Sequence, residues 1–122
     1  MAYSSAVAMT PVEIARTGVS TAETLITPTA THGNKFLNDG KTVLRVVNGS
    51  ASPITVTIDT PGSVDGQAIA DLVVTIAATG DGDGLDDQFI GPFPKTFEQS
   101  DGYVWAVFSA VTDVTAGAFR LP

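Results

Sequence analysis

The sequence predicts an all-β fold: a single-domain β-sandwich or β-barrel of short antiparallel strands, entered by an extended N-terminal arm. Three observations predict it. Val and Thr recur along the whole chain, while the strong helix formers Leu, Lys, Glu, Gln and Arg are sparse; β-branched side chains suit a pleated surface. Short apolar runs alternate with period two and are cut by Gly, Pro, Asn and Asp at close intervals. The chain has 122 residues, enough for one domain with a modest core.

Two textures divide the chain. Residues 1–36 are rich in Ala, Thr and Ser with irregular apolar spacing and read as an arm with one or more edge strands. Within them, Thr10–Ile14 and Glu23–Ile26 are candidate strands, with a short helical turn over Pro11–Arg16 as the alternative, because Pro suits a helix start and Glu13 its first turn. Residues 37–122 read as the β-domain. Asn38-Asp39-Gly40 turns the chain into a strand over Thr42–Val47, and Asn48–Pro53 is a loop or hairpin connection. Ile54-Thr55-Val56-Thr57-Ile58 alternates cleanly and ends at Thr60-Pro61-Gly62. Asp71–Ala77 is the next strand, and Gly80–Asp87 a polar loop. Phe89–Phe97 holds Gly91, Pro92 and Pro94, so it is extended but unsuited to a central ladder. Asp101-Gly102 leads into Tyr103–Phe108, apolar on both faces and therefore central and covered on both sides. Thr112–Phe119 is the last strand.

Charge narrows the partners. Thirteen acids against six bases leave a formal charge of −7, and no segment clusters Lys or Arg. Such a surface repels phosphate backbones and anionic lipid, which argues against nucleic-acid and membrane partners. Only 16% of residues are charged, against about 25% in ordinary soluble domains. The exterior is therefore built from Thr, Ser, Gly and Ala, or is partly covered by a partner. No apolar run approaches the roughly 18 residues that span a bilayer. The opening residues lack the basic and apolar regions of an export signal, so synthesis in a cytoplasm is expected.

Candidates for chemistry are few. The chain has no cysteine, which removes thiolate metal sites and thiol nucleophiles. His32, the single histidine, stands in a polar stretch with no serine in a nucleophile elbow, and reads as a solvated loop residue. The acidic loop Asp81–Asp87 is the best place for a hard cation. It departs from the EF-hand pattern at Leu85, Asp86 and Pro92, and reads first as a solvated loop. Asn48-Gly49-Ser50 matches the glycosylation triplet without an export signal to use it. Glu13, Glu23 and Glu98 stand in unrelated contexts rather than as a hydrolytic pair. No glycine-rich turn opens a helix, so a phosphate cradle is absent. No catalytic residue, cofactor or metal is therefore assigned, and the protein is expected not to be an enzyme.

Aromatic residues remain. Tyr103 and Trp105 share a strand face that is either core or a platform for sugar rings. Phe89, Phe93 and Phe97, four residues apart, fall on one side of an extended segment. That strip either closes the bottom of the sandwich or forms an interface patch.

From Asn38 to Pro122, about two thirds of the chain, the sequence resembles the head decoration (cement) proteins of tailed bacteriophages and related small phage virion proteins. The likeness is carried by Asn38-Asp39-Gly40-Lys41-Thr42, Ile54-Thr55-Val56-Thr57-Ile58-Asp59-Thr60-Pro61, Gly91-Pro92-Phe93-Pro94, Asp101-Gly102-Tyr103-Val104 and the Val-Thr-Ala-Gly character of Thr112–Leu121. These motifs are compositional and are shared by other phage head and tail proteins. The resemblance implies a non-enzymatic part of the virion that docks on the capsid exterior, commonly as a homotrimer, with the major capsid protein as partner. The arm would then supply the contact, through Thr10, Pro11, Val12 and Ile14. Two alternatives stay open: a head–tail connector or tail protein, and a small carbohydrate-binding module.

Overall fold

A computed structural model describes residues 5–20, 25–60, 63–64, 67–68, 70–80, 82, 84–99 and 101–121. Its strands are β1 (Val7–Met9), β2 (Val12–Glu13), β3 (Asn34–Leu37), β4 (Thr42–Asn48), β5 (Ile54–Asp59), β6 (Ser63–Val64), β7 (Gln67–Ala68), β8 (Leu72–Ile76), β9 (Asp87–Ile90), β10 (Tyr103–Phe108) and β11 (Val114–Arg120). Two mixed sheets pack against each other as a β-sandwich. The larger has the order β1-β3-β10-β5-β8 and the smaller β2-β11-β4-β9; β6 and β7 form a separate hairpin.

Alternation decides which side chains meet between the sheets. In β4, Thr42, Leu44, Val46 and Asn48 are buried while Val43, Arg45 and Val47 are half-covered; β5 buries Ile54, Val56 and Ile58. Leu44, Val46, Ile54, Val56, Ile58, Val104, Ala106, Phe108, Val114, Ala116 and Ala118 form one continuous core with Phe36, Ile76, Ile90 and Phe93. One-residue slips would turn each set outward, so the period fixes the register.

β10 is central, as its two apolar faces predict, but the two faces are covered differently. Val104, Ala106 and Phe108 point between the sheets. Trp105 points the other way and is nevertheless buried, at 8% exposure, because the loop before β3 lies over it. Its indole N–H donates to the His32 carbonyl at 2.7 Å. The loop passes so close that a Cβ on Gly33 would stand 2.2 Å from the Ala106 carbonyl, and Gly33 has a φ of +70°. Only glycine fits there.

The body strands pair antiparallel, whereas the leading segment makes two parallel pairings. β1 runs beside β3, with Met9 opposite Phe36, and β2 runs beside β11, with Val12 opposite Phe119. The chain thus adds an edge strand to the larger sheet, crosses the open side at Thr10 and Pro11, and adds another to the smaller sheet. The helical turn over Pro11–Arg16 does not form, because β2 takes Val12 and Glu13 into the ladder and the Ile14 amide donates to the Arg120 carbonyl at 2.8 Å. Of the second candidate strand, Glu23 and Thr24 lie outside the described residues. Ile26 makes an isolated antiparallel bridge to Ala116.

Candidate interaction surface

On β11 the inward residues are Val114, Ala116 and Ala118, so Phe119 belongs to the outer face of the smaller sheet. It is buried even so, at 1% exposure. Val12 and Val43 flank it in the ladder, and its ring meets that of Phe89 edge-on, with centroids 6.4 Å apart and planes at 73°. Phe89 comes from β9, where it pairs with Arg45. The outer layer is therefore a row of apolar side chains contributed by four strands, Val12, Phe119, Val43 and Phe89, and Phe89 is its exposed end at 58%.

A charge pair borders this row without charging it. Arg45 and Asp87 form a bidentate pair: Nε donates to Oδ1 at 2.9 Å and Nη2 to Oδ2. The Asp87 carboxylate holds the guanidinium in its charged form, raising its pKa further against a smaller opposing effect of burial. Fork-to-fork geometry neutralises both groups locally. The ground beside Phe89 is thus electrically quiet, although the chain as a whole is strongly acidic.

A second apolar group lies along the free edges of the two sheets, where Leu72, Val73 and Leu85 are exposed, Val73 at 57%. The Gln88 amide closes the seam between these edges, donating to the Thr75 carbonyl at 3.0 Å and to the Leu85 carbonyl at 2.7 Å.

The candidates taken from the sequence are dispersed by the fold. Val12 and Phe89 come together through Phe119. Thr10 is exposed at the crossing between the sheets. Pro11 lines a cleft of about 350 Å³ with Leu37, Asp39, Thr42 and Arg120, and Ile14 is half-buried beside Arg120. The strip expected of Phe89, Phe93 and Phe97 does not exist. Gly91, with a φ of +120°, turns the chain after β9, and the segment closes in a 3-10 turn over Lys95–Phe97. Phe89 faces out, Phe93 enters the core at 2% exposure, and Phe97 packs edge-on against Phe93 at 5.8 Å. The sequence alone does not single out Val43 or Phe119. The signal was present for Phe119, whose parity opposes Val114, Ala116 and Ala118, but a terminal Phe in an apolar strand reads as core.

Among the described residues, the candidates for chemistry have structural partners. His32 gives its carbonyl to Trp105. The Asn48 amide nitrogen is turned inward, donating to the carbonyls of Ser52 at 2.9 Å and Ala77 at 3.0 Å, so the glycosylation triplet presents no accessible nitrogen. Glu13 pairs with Arg120 at 3.0 Å, and Glu98 accepts from Asn38 Nδ2 at 2.9 Å; Glu23 lies outside the described residues. In the acidic loop Asp81 and Asp83 lie outside the described residues, Asp86 accepts from the Gly80 amide at 3.2 Å, and Asp87 is held by Arg45. No group of three or more metal-ligating side chains occurs among the described residues. Tyr103 lies under Lys35 Nζ, 5.2 Å from the ring centroid. With Trp105 buried beside it, the pair presents no open stacking platform.

Compared with known protein families, curated proteins and solved structures, the chain matches none.

Proposed function

We propose that this protein is a non-enzymatic virion component that adheres to the outer surface of a bacteriophage capsid and holds neighbouring capsid subunits together. The observation that carries the reading is the apolar row on the outer face of the smaller sheet, ending in an exposed Phe89 beside a self-neutralised ion pair. An exposed aromatic side chain beside an ion pair that cancels its own net charge suits protein contact: burying a Phe side chain is worth roughly 1.5–3 kcal/mol. The sequence resemblance supplies the kind of partner, a capsid lattice with the major capsid protein as its unit, and the trimer as the favoured oligomer.

Weak individual contacts suffice for such a role. A ligand that binds only the assembled lattice stabilises it by mass action, and the effect is multiplied over every copy. The surplus acids limit self-aggregation while the decorating chain waits in the cytoplasm.

Copy number tests this reading against its neighbour. Quantitative mass spectrometry of purified particles of the phage encoding the chain should find it in numbers comparable to the major capsid protein. A few copies per particle would assign it to the head–tail connection or the tail instead, and complete absence from particles would overturn both.

A further inference from the structure

The leading segment is attached unlike the rest of the sandwich. β1 pairs along three residues and β2 along two, each to one neighbour only. Clefts lie on both sides of β2: one of about 340 Å³ lined by Ala8, Met9, Thr10, Val12, Ile26, Gly117 and Ala118, and the one of about 350 Å³ that holds Pro11 and Arg120. β1 is held by the buried Met9 and by the Asn34 amide, which donates to the Val7 carbonyl at 3.2 Å, whereas one side chain ties down β2. Arg120 gives Nη1 to Glu13 Oε2 at 3.0 Å and Nε to Asp39 Oδ2 at 2.9 Å, tying β2 to the turn before β4. Both ion pairs are solvent-accessible, so salt screens them. The residues that follow, Ala15–Ser20, are exposed apart from a half-buried Val19.

We infer that residues 5–14 form an exchangeable arm, which leaves the edges of β3 and β11 and seats on the same edges of a second copy of this chain. The occupant follows from complementarity already present within one chain. A second arm brings the same Met9 to the place beside Phe36, the same Val12 to Phe119, and the same Glu13 to Arg120. Exchange therefore costs no contact, and only the connection after Ile14 changes conformation. Charge favours the same occupant: two chains of net charge −7 repel in general, but the arm delivers a carboxylate to a guanidinium. The inference stands apart from the capsid reading, since it needs no particle.

The absence of cysteine makes the test direct. Ala8 and Lys35 are paired across β1 and β3, so the double variant Ala8→Cys/Lys35→Cys should close within one chain on oxidation with copper–phenanthroline. Single variants Ala8→Cys and Lys35→Cys, mixed and then oxidised, can join at that position only if an arm has crossed between copies. The expected result is a covalent dimer from this mixture and none when Thr112→Cys, an exposed position in the turn before β11, replaces Lys35→Cys. Adding Glu13→Gln to the Ala8→Cys chain should speed the dimer about two- to fivefold, as expected for loss of one exposed ion pair. A mixture that stays monomeric while the double variant closes overturns the inference. So does equal cross-linking through Thr112→Cys, or a rate indifferent to Glu13→Gln.

Discussion

Asn48 ends β4 with its side chain almost wholly enclosed, at 1% exposure. Its amide donates to the carbonyls of Ser52, Ile76 and Ala77, and its oxygen accepts from the amide and hydroxyl of Ser50. One residue thus joins the end of β8 to the loop after β4. Asn48→Ala should lower stability by about 1–3 kcal/mol, because it removes the side-chain donor to the buried Ile76 carbonyl and the part-buried Ala77 carbonyl; denaturant unfolding of the two proteins measures it. Two aspartates give stability opposite dependences on pH. The Lys41 amide chiefly holds Asp39 below the ordinary carboxylate range; burial opposes it, and the Thr42 hydroxyl and Arg120 each add a smaller lowering effect. Its contribution is present above the unfolded value near 3.8 and is lost as pH falls through the folded one. Asp59 is pushed up, first by burial and then by Asp71, which stands one step beyond the Ile58–Leu72 pair in the β5–β8 ladder. Ionising Asp59 therefore costs stability at neutral pH, a cost absent below the ordinary value. Asp59→Asn should stabilise the protein at pH 7 and lose that advantage in acid, whereas Asp39→Asn should destabilise it at pH 7 and flatten the acid limb. Thermal melts across pH distinguish the two.

At the scale of the element, β9 and the segment after it sort three phenylalanines into three environments. Phe93→Ala should cost about 3–5 kcal/mol by opening a cavity between Phe36 and Phe97. Phe89→Ala should cost under about 1 kcal/mol, since its ring is largely in solvent. Equal losses in the unfolding midpoints would contradict this division. The strands legible in the sequence are runs of β-branched and apolar residues bounded by turn residues: Thr42–Val47, Ile54–Ile58, Asp71–Ala77, Tyr103–Phe108 and Thr112–Phe119 lie within two residues of β4, β5, β8, β10 and β11. Those that escaped are short, and β3 and β9 begin on polar residues. Asn34–Leu37 opens β3 with an asparagine whose amide donates to the Val7 carbonyl at 3.2 Å, a long-range bond no local pattern announces. Asp87-Gln88 opens β9 with residues that resemble the preceding acidic loop. The candidate surface was legible only in fragments, because the contact joining Val12 to Phe89 runs through Phe119 and across β4. Parity within one strand says which way a side chain faces; it does not say which strands lie side by side.

For the whole molecule, a charge of −7 coexists with an outer sheet face that is apolar where it is most exposed. The acids oppose indiscriminate self-association, and the ground around Phe89 is a place where close contact meets no net charge. On the proposed capsid role, adhesion would depend on burying that ground rather than on long-range attraction, so raising salt should weaken particle binding only slightly. The decisive measurement for the proposed role is a sedimentation titration of wild-type chain and Phe89→Asp against phage heads that lack the protein. Saturable binding of the wild type, reduced at least tenfold in affinity by Phe89→Asp with the unfolding midpoint preserved, is the predicted result. Undiminished binding of a folded Phe89→Asp chain, or no binding by the wild type, would contradict the account.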